Sequence, residues 1–213
     1  MTSTTTIELP FTFSVPPEFE AIEFDRSPED RANATITKLQ ALDPRPSDAE
    51  IMRAVIGAQT TIDLLADSGA VYGGILVARD DSKSDDAVTD LMSALLTVTI
   101  RPSALSDTVT TDWLTSSLAT LYPNAEIGVV VLPTGPGRTP APAVLVTEEV
   151  EVPQAVNLLD DGAGPSTVRQ LHVFVPITGR TAMADFSIST ESLDNWDACV
   201  TILASICDTI TFA

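Results

Sequence analysis

Apolar residues in this chain recur with two different periods, and that mixture constrains its fold more than any other feature. Ile7, Leu9, Phe11, Phe13 and Val15 alternate with Glu8, Pro10, Thr12 and Ser14. A strict period of two predicts a half-buried strand, and Pro10, which has no N–H, assigns it to an edge or to an open N–H side. Ile51, Val55, Ala58, Ile62 and Leu65 instead share one stripe of a helix, widened by Met52, Ile56 and Ala66. Ser47 and Glu50 make a capping box ahead of that helix, and Gly69 suits the left-handed position just past its end. A chain that mixes such segments must cover a sheet with helices. The expected class is α+β, a mainly antiparallel sheet flanked by about four helices.

Helices are predicted at 47–67, 84–96, 111–121 and 192–207. In the second, Ser84 is the cap and Val88, Leu91, Met92, Leu95 and Leu96 fall at amphipathic spacing. The third turns Trp113, Leu114, Leu118 and Leu121 inward, and the fourth Leu193, Trp196, Val200, Leu203 and Cys207. Strands are predicted near 7–15, 19–24, 34–39, 71–78, 97–100, 127–132, 143–152, 169–177 and 182–189, with Ile210 and Phe212 in a closing strand. Residues 25–33 read as a polar loop or one short helical turn. Gly73-Gly74 allows a bulge or close packing. Pro and Gly punctuate the loops at 43–47, 133–142 and 160–165.

The length of 213 residues suits one domain over 1–213, or two halves, 1–101 and 104–213, with the break near Arg101-Pro102-Ser103. The second option rests on an internal echo of two βαβ-like units. Residues 71–100 and 181–212 both read strand, polar loop, helix, short strand, and they end Thr-Val-Thr-Ile and Thr-Ile-Thr-Phe. Coincidence of a common pattern explains the same observation.

Charge removes whole classes of function. Lys and Arg number 11 against 30 Asp and Glu, so 11 − 30 gives a net charge of −19. Such a field repels phosphate backbones and anionic lipid heads, and no basic stripe exists to neutralise them. Nucleic acid is therefore not an expected partner. A disordered acidic tail is excluded as well, because 44% of the residues are hydrophobic. The Arg-over-Lys, Ala- and Val-rich bias fits a GC-rich genome or a halophilic surface; the apolar fraction leans to the first. The longest apolar runs, 127–132 and 143–146, fall far short of the roughly 20 residues of a spanning helix. The N-terminus has neither a basic nor an apolar signal region, and with Met1 in place the expected location is cytoplasmic.

Residues 169–177 (Arg-Gln-Leu-His-Val-Phe-Val-Pro-Ile), 183–196 (Met-Ala-Asp-Phe-Ser-Ile-Ser-Thr-Glu-Ser-Leu-Asp-Asn-Trp), the terminal helix and Ile210-Thr-Phe form a closing pattern. It resembles the endings of uncharacterised actinobacterial proteins, some encoded among type VII secretion genes. It is also similar to the closing strand–helix–strand of Mog1/PsbP-like α/β proteins. The resemblance covers about 45 residues. It implies an antiparallel sheet flanked by helices, binding or assembly roles and no shared active site, so no functional residue carries over.

The residues themselves point to no catalytic, cofactor-binding or metal site. A Ser–His–Asp or Cys–His mechanism would have to use His172, the sole histidine, which reads as a surface or sheet-face residue. Cys199 and Cys207, eight residues apart on one helix, are separated by about 12 Å along the axis. A disulfide needs Cα atoms within roughly 7 Å, so two reduced thiols are expected, at least one buried. With one His and two helix-mate Cys, a zinc ligand set is missing. Asp80, Asp81, Asp85 and Asp86 crowd one loop, but Lys83 occupies a calcium-ligand position and Asp86 the obligatory glycine. The first turn of a helix is the better setting for Asp85 and Asp86. The glycine loops at 135–138 and 162–166 lack the Gly-Lys-Ser/Thr of a phosphate cradle. Glu148 and Glu149 are adjacent on a strand and face opposite ways.

Two readings follow. The first is a non-enzymatic protein-binding or assembly adaptor, such as a cytoplasmic secretion-associated chaperone, whose acidity suits a partner with a basic patch and discourages non-specific self-association. The second is an enzyme of unknown class, for example a carboxylate-based hydrolase, because carboxylates are the only abundant catalytic-type groups. No cofactor is implied by either.

Overall fold

Strand and helix signals resolve into nine strands and four helices in a computed structural model that describes residues 9–41, 47–79, 91–102, 111–133, 140–152, 166–177 and 181–212. In chain order these are β1 (Phe11–Thr12), β2 (Glu20–Ala21), α1 (Pro28–Gln40), α2 (Asp48–Asp67), β3 (Ala70–Arg79), β4 (Leu91–Pro102), α3 (Thr111–Leu121), β5 (Glu126–Leu132), β6 (Ala141–Val152), β7 (Ser166–Pro176), β8 (Ala182–Thr190), α4 (Trp196–Cys207) and β9 (Thr211–Phe212). Seven of the strands form one antiparallel sheet in the order β2-β3-β4-β8-β7-β6-β5, and β1 pairs with β9 in a separate small sheet. The fold is α+β.

The long strands bury side chains on both faces, and their alternation separates two cores. Leu96 and Val98 of β4, Val173 and Val175 of β7, and Ala184, Phe186 and Ile188 of β8 point to one face. There α4 contributes Cys199, Leu203, Ile206 and Cys207, and the β1–β9 pair adds Phe11 and Phe212. Each fully buried side chain of this size contributes roughly 1.5–3 kcal/mol. Phe186 is the hub: its ring lies 5.6 Å from Phe11 and 5.4 Å from Phe13. On the opposite face, Leu114 and Leu118 of α3 cover Val144, Val146 and Phe174. On that face too, Thr61 of α2 lies beside Ile75 of β3 and Leu95 of β4.

Two elements differ from expectation. Residues 91–96, expected to close a helix, belong to β4; residues 84–90 of that helix lie outside the described residues. The i, i+3, i+4 spacing of Leu91, Met92, Leu95 and Leu96 coexists with an alternation of Met92, Ala94, Leu96, Val98 and Ile100 that continues along the strand. Pairing with β3 and β8 on both sides selects the second period. The echo loses the described part of its helix, since residues 91–100 are continuous strand. Residues 34–39, expected as strand, are the second half of α1. Ser27 caps that helix by accepting from the Asp30 N–H at 3.1 Å, Pro28 sits in its first turn, and Thr35 and Thr37 bond back to the Arg31 and Asn33 carbonyls. A complete N-terminal signal outweighed the β-branched run. Only Phe11–Thr12 and Glu20–Ala21 are strand within the two expected N-terminal strands, and Ile7 and Glu8 lie outside the described residues.

Arg31 fastens α1 to α2. Its Nη2 donates to Gln59 Oε1 at 3.0 Å, and its Nη1 donates to the Arg26 carbonyl at 2.9 Å. Gly69 has φ 81°, a conformation that stops α2 and that side chains disfavour. At Gly73 a Cβ would stand 3.0 Å from Ile22 Cδ1, so the expected close packing is present. β4 and β8 pair over 95–102 with 182–189, so strands on either side of residue 103 share one sheet. Among the described residues no helix is long and apolar enough to cross a membrane.

Candidate functional site

The only histidine is a sheet-face residue, one of its two expected settings, and is buried at the centre of the sheet. Across the strands, Thr97, Ser187, His172 and Val146 form one row, and Thr99, Asp185, Phe174 and Val144 form the next. All project to the α3 face, opposite the larger core. His172 and Asp185 are diagonal neighbours, and both are buried. His172 Nδ1 lies 3.0 Å from Asp185 Oδ1, and Arg101 Nη2 lies 2.8 Å from Asp185 Oδ2. The imidazole stacks on Phe174, with ring centroids 5.6 Å apart and planes at 12°. Tyr122, just past α3, closes the cluster at 5.7 Å from the imidazole and 6.1 Å from Phe174. Arg101 also stands 5.9 Å over the Phe174 ring.

The chemistry follows from the partners. A carboxylate accepts, so the proton between the two side chains sits on His172 Nδ1, which leaves Nε2 as the ring nitrogen that faces any further partner. That nitrogen has no hydrogen-bond partner among the described residues. The Asp185 side chain is only 2% exposed and would be costly to bury alone; Arg101, 45% exposed, supplies the balancing charge. Burial raises the Tyr122 phenol above its ordinary pKa, an effect Arg101 opposes and Asp185 and Glu148 reinforce. An oriented imidazole is half of a hydrolytic triad, but the nearest hydroxyl in its row is engaged elsewhere. Ser187 Oγ and Thr97 Oγ1 share a hydrogen bond of 2.5 Å.

The neighbouring row leads into a groove of ≈ 280 Å³. Ile75, Leu95 and Val168 make its apolar floor, and Thr61, Ser93, Ser189 and Glu191 line its polar edge. Beyond it, Ile75 and Val77 of β3 and Met52, Ile56 and Leu64 of α2 are exposed, five of the ten large apolar side chains so placed among the described residues. The inward stripe expected for α2 is covered only at its start. Ile51 and Val55 are buried, while Ile62 and Leu65 are half-buried.

Cys199 and Cys207 are free and buried in α4. Burial pushes the Cys207 thiol up to about 12, helped by the Asp208 charge. Burial also raises Cys199, against a hydrogen bond with Thr190. Both are inert thiols, since the thiolate is the nucleophile. Glu148 and Glu149 do diverge: Glu148 acts on Tyr122, whereas Glu149 lies 3.5 Å from Arg169, whose guanidinium stacks 4.7 Å from Trp196. The acidic loop with Asp80, Asp81, Asp85 and Asp86, the 160–165 loop and residues 134–139 lie outside the described residues. Among the described residues no three His, Cys, Asp or Glu side chains are placed to hold a metal ion.

Sequence reading missed Asp185 and Arg101. Asp185 lies between Ala184 and Phe186, where alternation alone marks it as facing away from the main core. The available signal was one of parity. His172 and Asp185 both oppose the apolar set of their own strands, which places them on one face once β7 and β8 are paired. No protein-family model matches the chain, and no curated protein matches it.

Proposed function

We propose that this chain is a non-enzymatic protein-binding or assembly adaptor. The observation that carries the reading is the set of exposed large apolar side chains on two neighbouring elements, Met52, Ile56 and Leu64 of α2 and Ile75 and Val77 of β3, with Ile75 also lining the groove. Large apolar side chains left exposed together on neighbouring elements of an otherwise charged protein mark a contact site. Such residues supply affinity as anchors, while the net charge of −19 selects and steers a basic partner. A cytoplasmic, secretion-associated chaperone is the role that the C-terminal resemblance supports.

The test is capture of proteins from lysate of the source organism on immobilised protein over a salt series, with the Ile56→Glu/Leu64→Glu variant in parallel. Basic proteins should be retained at low salt and released as the Debye length falls from about 10 Å at 0.1 M to about 3 Å at 1 M. The variant should lose most of that retention while keeping its fold, because both positions are exposed. Equal retention by the variant would remove the assigned surface. A hydrolase is the second reading, favoured by an Asp-oriented His172 whose Nε2 has no hydrogen-bond partner among the described residues. Turnover in a broad hydrolase screen that His172→Gln abolishes would replace the first reading with the second.

A further inference from the structure

The two edges of the seven-stranded sheet are built differently. One edge is β2, two residues long, with both side chains exposed and Glu20 ion-paired to Lys38. Short length and charge are the devices by which proteins blunt an edge. The other edge is β5, seven residues of sequence Glu-Ile-Gly-Val-Val-Val-Leu. It pairs with β6 along its whole length, and no described residue bonds to its outer side. It contains no Lys and no Pro, and its single charge, Glu126, stands at one end. Val129 and Val131 are 54% and 65% exposed, and Trp113 and Leu121 of α3, which packs over β5, are exposed as well. An open row of N–H and C=O groups bordered by apolar side chains is a template for another strand.

We infer that β5 pairs with β5 of a second copy of this chain, antiparallel about a twofold axis at Val129. The sequence of the strand selects this occupant. Centring the pairing on Val129 sets Ile127 opposite Val131 of the second copy and Glu126 opposite Leu132. Every side chain then meets an apolar one or glycine. The two Glu126 carboxylates stand at opposite ends of the ribbon, roughly 20 Å apart at about 3.4 Å per residue. A twofold interface uses one patch twice and closes after two copies, so it removes the edge without seeding a fibre. Two copies at −19 repel over long range, which salt relieves. Dimerisation therefore strengthens with salt, whereas the partner contact proposed above weakens with it, and failure of one leaves the other standing.

Sedimentation velocity over concentration and salt series tests the inference. The wild type should move from the 22.5 kDa chain mass to twice that value as either rises. Val129→Lys and Val129→Glu, at a solvent-facing position, should each be monomeric with unchanged circular dichroism, because they set like charges face to face at the axis. Mixed in equal amounts, the two variants should dimerise again, which pairing at any other surface would not produce. A wild type that stays monomeric throughout, or variants that dimerise as well as the wild type, would overturn the interface. A mixture that stays monomeric would overturn the Val129-centred register.

Discussion

Arg101→Met would test whether the buried cluster is held by charge. The substitution keeps an unbranched, flexible apolar stem and removes the guanidinium 2.8 Å from Asp185. Breaking a fully buried pair costs about 3–5 kcal/mol, and an exposed pair is worth about 0–1 kcal/mol. Asp185 is buried but Arg101 is nearly half exposed, so water can partly replace it, and His172 still donates to the carboxylate. The expected loss is about 2 kcal/mol, between those limits. For a chain of this length that lowers Tm by about 4–8 °C. The assay is denaturant unfolding of a double-mutant cycle with Asp185→Asn. Once the carboxylate is neutral, Arg101→Met should cost little, leaving a coupling energy of about 1 kcal/mol or more. A loss below about 0.5 kcal/mol, the range of ordinary surface substitutions, or simple additivity, would refute the argument.

Three other outcomes are expected. Because Cys207 is raised from 9.0 to about 12 in the fold, the unfolded chain loses that proton first as pH rises. Stability should therefore fall between about pH 9 and pH 12 by up to about 1.4 kcal/mol per unit from this group, and Cys207→Ala should flatten that slope in pH-dependent urea melts. Phe186→Ala empties the centre of the aromatic core and should cost about 3–5 kcal/mol in the same melts, whereas a loss under about 1 kcal/mol would show that Phe11 and Phe13 collapse into the space. Arg169→Lys should lose the stacked contact with Trp196 and change its fluorescence, at a cost of about 1 kcal/mol; unchanged emission and stability would remove that contact from the account.

Sequence alone determined the features in which neighbours along the chain set the outcome. Apolar, strand-patterned segments marked the main spans of β5, β6, β7 and β8, helical spacing marked α3 and α4, and Gly69 ended α2 because a left-handed residue costs glycine least. That Cys199 and Cys207 are free of a mutual disulfide followed from their spacing on α4. Where two periods were both present, as in 91–96, local reasoning chose a helix, and only pairing with β3 and β8 decided for a strand. In α1 the converse held, since a Thr-Ile-Thr run reads as strand unless the Ser27 cap is weighed first. The cluster of Arg101, His172 and Asp185 belonged wholly to the tertiary structure. Each residue is unremarkable in its own strand, and the order β4-β8-β7 brings them within hydrogen-bond reach. The open β5 edge depended on the same ordering. A sequence shows that a strand exists, but which strand lies at the border is set by how the others pair, a non-local choice that no window along the chain contains.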